Sequence, residues 1–261
     1  MLQIHPVPAF SDNYLWLLFD EAGDAFVVDP GDAEPVLAFL SAQRLRLAGI
    51  LITHHHLDHT GGVAALRARL GSIPVFGPAN SPFADIDHRL SPGDSIQVLG
   101  HTAAVLGVPG HTLDHIAYFI PSRDNQAPIL FCGDTLFGAG CGRVFEGDPA
   151  MMHASLARLS SLPTGTRVCP AHEYTLSNLR FALAVEPENV ELRAREARDR
   201  ALRAEGIPTV PSLLSVEAAT NPFLRCATES VRQAAATHAG RELGGDADVF
   251  GVVRAWKDGF R

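Results

Sequence analysis

Short apolar runs broken by turn residues fill the first two-thirds of the chain. Residues 14–19 and 25–28 have the length and composition of strands that pair, and Asp29-Pro30-Gly31-Asp32 ends the second as a turn. Residues 35–43 predict a short helix. Residues 49–53 predict a strand that runs into a cluster of histidines, followed by a helix at Val63–Leu70 and a strand at 73–76. Further strands are expected at 103–108, Ile116–Ile120, 129–131 and 167–169, with a helix over 151–159 before the last. Strands and helices interleaved in this way predict a layered α/β domain.

Beyond Tyr174 the texture changes. In residues 189–206, Val190, Ala194, Ala197 and Ala201 recur at helical spacing. Glu191 with Arg195 and Glu196 with Arg200 form i,i+4 pairs in the favourable order, and Gly206 stops the helix. A Pro-rich connection over 207–212 leads to two more helices ending at Arg261. The reading is a catalytic α/β domain over residues 1–172 and a smaller helical, substrate-binding domain over 173–261.

At 261 residues and 46% hydrophobic, the chain can bury a large core. Its formal net charge of −8 argues against a general nucleic-acid binder, which needs a basic surface to displace counterions. All but one of the 21 basic residues are Arg, which singles out Lys257. Residues 1–10 carry no positive charge ahead of an apolar run, so they do not read as a signal peptide. No uncharged stretch approaches the ~18–20 residues that span a bilayer. Cys132, Cys141, Cys169 and Cys226 contain no C-x-x-C pair and read as reduced thiols. A monomer in the cytosol, with no membrane or nucleic-acid partner, is expected.

The strongest chemical signal is Thr53-His54-His55-His56-Leu57-Asp58-His59. It presents His54, His56, Asp58 and His59 just after a strand, where open α/β sheets place their sites. Imidazole and carboxylate are donors that zinc and similar ions accept. A His-rich solvated loop is the bland alternative, and three later residues weaken it. His111 in Pro109-Gly110-His111-Thr112, Asp134 in Cys132-Gly133-Asp134-Thr135 and His172 in Pro170-Ala171-His172-Glu173 each follow a strand-like run. Seven donors in one positional context suit two metal ions. His55 alternates with the donors and should point away, and His115 reads as a residue that supports a ligand from behind or as packing. Asp29, at a strand end, is a candidate to orient a liganding His.

H-x-H-x-D-H with the downstream His, Asp and His, in this order, resembles the metallo-β-lactamase superfamily. That resemblance implies an αββα sandwich. His54, His56 and His111 would hold one metal, Asp58, His59 and His172 the other, and Asp134 with a hydroxide would bridge them. The β-lactamases of that superfamily usually lack the second-site His, so β-lactam cleavage is not expected. Further stretches narrow the resemblance: Gly133-Asp134-Thr135-Leu136-Phe137, Gly140-Cys141-Gly142-Arg143-Val144-Phe145, His172-Glu173-Tyr174-Thr175, Asn221-Pro222-Phe223 and Arg254-x-x-Lys257-Asp258. These resemble the glyoxalase II, or hydroxyacylglutathione hydrolase, family over most of the chain.

By that resemblance Arg143, Phe145, Tyr174, Arg254 and Lys257 would hold glutathione, whose carboxylates pair with Arg and Lys. Some relatives have Tyr where Phe145 stands, so one hydrogen bond worth ~1 kcal/mol would be lost. The implied reaction is hydrolysis of S-(2-hydroxyacyl)glutathione, such as S-D-lactoylglutathione from methylglyoxal detoxification, to glutathione and a 2-hydroxy acid. A hydroxide shared by the metals would be the nucleophile, with Asp58 and Asp134 as the catalytic carboxylates. Zinc is the first candidate for both ions, and the same donors accept iron or manganese. The alternatives are a glutathione persulfide dioxygenase, which would use one iron, and another hydrolase of this fold.

Overall fold

A computed structural model of the protein describes residues 2–123 and 126–260, so the expected limits at Met1 and Arg261 lie outside the described residues. Contacts divide the chain into two units, the first comprising Met1–Gly107 and Asp114–Gly133, the second Val108–Leu113 and Asp134–Arg261.

The first unit opens with β1 (Gln3–Ala9), β2 (Asn13–Phe19) and β3 (Asp24–Val28), paired antiparallel in sequence. Helix α1 (Ala33–Gln43) carries the chain to β4 (Arg46–Leu51), which lies parallel to β3. The short α2 (Leu57–Thr60) and α3 (Val63–Leu70) precede the parallel strands β5 (Val75–Pro78) and β6 (His88–Leu90). The result is a six-stranded mixed sheet in the order β1 to β6. An antiparallel run follows: β7 (Ser95–Val98), β8 (His101–Gly107), β9 (Ile116–Ile120) and β10 (Ile129–Gly133).

The inner strands explain themselves by composition. β2 is buried along nearly its whole length because both faces are covered. Val36 and Leu40 of α1 and Val63 and Leu66 of α3 pack with Leu15, Leu17, Val27 and Ile50 in one apolar cluster. Each such fully buried side chain contributes roughly 1.5–3 kcal/mol of transfer free energy. On the other face Trp16 meets Phe131 edge-on at 6.3 Å, and the Tyr118 hydroxyl donates to the Ile52 carbonyl at 2.8 Å. These contacts lay the β7–β10 run against the first sheet. The expected strands and helices of this region are present, Val63–Leu70 and Ile116–Ile120 at the expected bounds and the others with ends shifted by at most three residues. β1 escaped the sequence reading because Pro6 and Pro8 interrupt it, and both are tolerated since β1 is an edge strand.

The second unit begins with the hairpin β11 (Leu136–Phe137) and β12 (Gly140–Cys141). It continues through α4 (Pro149–Ser160), β13 (Arg167–Pro170), α5 (Thr175–Val185) and α6 (Val190–Ala204). The strand β14 (Ser212–Leu213), α7 (Leu214–Thr220), a 3-10 turn at Pro222–Leu224, α8 (Glu229–Ala239) and α9 (Asp246–Gly259) complete it. The C-terminal region thus holds three helices and a 3-10 turn after α6 where two helices were expected.

Helix α6 corrects the periodicity reading. Val190, Ala194, Ala197 and Ala201 face solvent, whereas Leu192, Arg195 and Asp199 are buried. Arg195 turns inward from Glu191 and bonds Glu217 at 2.6 and 3.0 Å and Asp199 at 3.2 Å. The expected Glu196–Arg200 pair is present. Small alanines are cheap on either face of a helix, so their spacing did not report the buried side. A buried ion network did, and it is held only because each charge finds several partners.

Candidate metal centre and cationic face

In the first unit, β3 and β4 run parallel and end at one edge, with the Asp29 amide bonded to the Leu51 carbonyl at 2.8 Å. Asp29 sits in the left-handed region at φ 51°, which Asp tolerates better than most residues. Its buried carboxylate accepts from the Thr53 amide and the Thr53 hydroxyl, both at 2.7 Å, and lies 3.1 Å from His59 Nδ1. The Thr53 hydroxyl, committed as donor to Asp29, faces His54 Nδ1 at 3.1 Å as acceptor. One carboxylate therefore orients two predicted ligands, His59 directly and His54 through Thr53. The His54 ring then presents Nε2 unprotonated, the state that metal binding requires, and the Asp29 charge beside His59 Nδ1 favours the same tautomer there.

His54 Nε2 lies 3.0 Å from His56 Nδ1, and His59 Nε2 lies 3.5 Å from Asp58 Oδ2. Asp58 also accepts from Asn13 Nδ2 at 3.1 Å. A Cβ at Gly31 would lie 1.8 Å from the Asp58 carbonyl oxygen, so only glycine lets the Asp29–Asp32 turn pass this close to the ligand loop. His55 points away to Asp114 at 3.0 Å, and His115 stacks on His54 with ring centres 4.6 Å apart.

In the second unit, Asp134 stands between two histidines. His111 Nε2 lies 3.3 Å from one of its oxygens and His172 Nε2 3.4 Å from the other. His111 Nδ1 donates to the Arg143 carbonyl at 2.9 Å, which fixes Nε2 toward Asp134. His172 is sandwiched by aromatic neighbours: Tyr174 stacks on it at 4.8 Å and Phe137 meets it edge-on at 5.8 Å. A Cβ on Gly142 would fall 1.9 Å from the Asp134 carbonyl oxygen.

Buried polar side chains clamp the intervening β11–β12 hairpin. Glu217 accepts from the Ala139 amide at 2.8 Å, Asn178 and Asn221 donate to Gly138 and Gly140 carbonyls at 3.0 and 2.9 Å, and Arg254 donates to the Cys141 carbonyl at 3.0 Å. Sequence reasoning missed Glu217 and Arg195 in this role. In sequence, a fully buried Arg–Glu pair on helices is indistinguishable from charges that face solvent.

The predicted glutathione contacts divide by exposure. Phe145 is 61% exposed with its ring 5.2 Å from His111, and Tyr174 is 37% exposed. Arg254 is only 6% exposed and lies 5.1 Å from the Phe223 ring centre. Besides Cys141 it bonds Asp258 at 2.9 Å, while its buried Nε makes no hydrogen bond. Lys257 Nζ reaches the Ser177 carbonyl and hydroxyl, each at 3.4 Å, and lies 5.5 Å from the centre of the Phe181 ring. Burial, then the charges of Arg254, Arg180 and Arg143, push the Lys257 ammonium down to about 8, against the opposing pull of Asp258. Crowded cations around a single carboxylate favour an incoming anion.

Residues 12–172 match the metallo-beta-lactamase superfamily, and residues 173–260 match the hydroxyacylglutathione hydrolase C-terminus. The chain is 54% identical over 262 residues to a hydroxyacylglutathione hydrolase of Pseudomonas aeruginosa, covering the whole of both proteins. The chain belongs to the hydroxyacylglutathione hydrolase family. Another member, from Hahella chejuensis, is 52% identical over 260 residues, again across both full lengths. Among solved structures, TTHA1623 in a di-iron-bound form is 29% identical, with a TM-score of 0.60 over 84% of this chain and all of that one. The expected α/β fold of metallo-β-lactamase type with a helical C-terminal part therefore holds. Among the described residues no helix is long and apolar enough to cross a membrane.

Proposed function

We propose that the protein hydrolyses S-(2-hydroxyacyl)glutathione thioesters, S-D-lactoylglutathione foremost, with two divalent metal ions held by His54, His56, Asp58, His59, His111, Asp134 and His172. The observation that carries the reading is Asp134, whose two oxygens each face a different histidine. Such a carboxylate suits one ligand shared between two cations. The donor set, nitrogen and oxygen with no thiolate, fits zinc, iron or manganese. We take zinc as the first candidate. Two cations so held would supply Lewis acidity and would lower the pKa of a bound water toward neutrality.

The chain's own residues do the rest. Asp29 and the Arg143 carbonyl set the tautomers of His59 and His111. Tyr174 and Phe145 offer an aromatic surface to the peptide, and the cations of the second unit attract its carboxylates. Residues 1–172 serve as the catalytic domain in this reading, and 173–261 hold the tripeptide. A thiolate leaves readily, so no strong general acid is required, and no acidic hydrogen-bond donor needs to stand beside the sulfur. The four buried free cysteines suit a reducing, cytosolic compartment, and a monomer is sufficient for the proposed chemistry.

The test pairs metal analysis of the purified protein with thiol release from S-D-lactoylglutathione. About two ions per chain and turnover are expected, both lost in Asp134→Ala. Failure of the metal-loaded protein to cleave the thioester, or near-normal activity of Asp134→Ala, overturns the proposal.

A further inference from the structure

The cationic face of the second unit contains one Arg that neither the motifs nor the family comparison singled out. Helix α5 begins beside Tyr174, whose ring stacks on His172. Tyr174 and Ser177, and Ser177 and Arg180, are i,i+3 neighbours that lie side by side on a helix, so the exposed row winds about 120° around α5 from Tyr174 to Arg180. Ser177, midway, is the residue against which Lys257 Nζ rests at 3.4 Å. Arg180 is exposed, and among the described residues no hydrogen bond or ion pair engages its guanidinium. Asp258 serves Arg254 at 2.9 Å and Arg143 at 4.0 Å. Lys257 and Arg180 are left without a carboxylate of their own within ion-pair distance among the described residues.

Length selects the ligand. Six residues of helix advance about 9 Å, and from the central cysteine sulfur of glutathione the longer arm, eight bonds to the γ-glutamyl carboxylate carbon, reaches about 10 Å when extended. A thioester sulfur beside His172 and Tyr174 therefore brings the more distant of the two carboxylates within reach of Arg180.

We propose that Arg180 is a specificity-determining residue that binds the carboxylate farthest from the thioester, so that the site selects a full-length peptide thioester with a free terminal acid. This rests on the thioesterase reading above. The contact adds to affinity and leaves the chemical step alone, because Arg180 stands about 9 Å along α5 from Tyr174. Its exposure makes the contact modest and sensitive to salt.

The experiment compares wild type, Arg180→Ala and Arg180→Lys on S-D-lactoylglutathione and on its two carboxyl monoethyl esters. For the free acid, Arg180→Ala should raise KM about 5-fold with kcat unchanged, as for one exposed charge-assisted contact. Arg180→Lys should recover most of the loss, and the effect should vanish in one monoester and persist in the other. An unchanged KM, a fall in kcat instead, or an equal effect on both monoesters overturns the assignment. Calorimetric titration with S-methylglutathione reads the same contact without turnover. If wild type cleaves no thioester yet binds this probe more tightly than Arg180→Ala, the reaction is wrong and the contact stands. Equal binding by both proteins removes the contact.

Discussion

Lys257 allows a pH dependence to be worked out from its surroundings. Its ammonium is pushed down to about 8 by burial and by Arg254, Arg180 and Arg143. A lowered value in a base means that the proton is held below that pH and lost as the pH rises through it. The protonated fraction in the free protein is then about 0.9 at pH 7 and about 0.1 at pH 9. If an anionic ligand requires the ammonium, its inhibition constant should rise about 10-fold across those two units, by linkage between proton and ligand binding. The assay is competitive inhibition by S-methylglutathione, which carries the carboxylates but no scissile thioester. Lys257→Arg keeps its charge throughout the range, so dividing wild-type constants by those of this variant removes the titration of the ligand and of the metal site. The ratio should climb from pH 7 to pH 9. A flat ratio would refute the argument, as would a Lys257→Ala variant that binds the inhibitor as well as wild type at pH 7.

Two further outcomes follow from distances near the predicted ligands. Asp29→Asn removes the charge that orients His59 and, through Thr53, His54, so metal affinity should fall about 10- to 100-fold; competition with a chelator measures it, and unchanged retention would remove Asp29 from the metal site. Gly142→Ala places a methyl group 1.9 Å from the Asp134 carbonyl oxygen, so the backbone must move and activity should drop about 100-fold, whereas Gly165→Ala, with open space around it, should behave as wild type. Similar activity in the two variants would show that Asp134 need not stand where it does.

Much of the candidate site was legible because its residues are chemically costly and locally patterned. His54, His56, Asp58 and His59 crowd one strand end, and His111, Asp134 and His172 repeat the same context of an apolar run followed by a sharp turn. Such donors need a common partner, and their order along the chain carries that information without any three-dimensional knowledge. Asp29 could be suspected for the same reason, and its contacts with Thr53 and His59 now give the suspicion a geometry.

The chain's linear order alone determined the strand and helix alternation of the first two-thirds, the donor set and the family resemblance, because each depends on periodicity or on residue identity at short range. Only tertiary structure decided which face of α6 is buried, since alanine is indifferent to burial and Arg195 goes inside only where Glu217 and Asp199 meet it. It also decided that Arg254 is an anchored, buried cation while Arg180 stays open to solvent. Their sequence neighbourhoods look alike, and the difference lies in what long-range packing brings against each guanidinium.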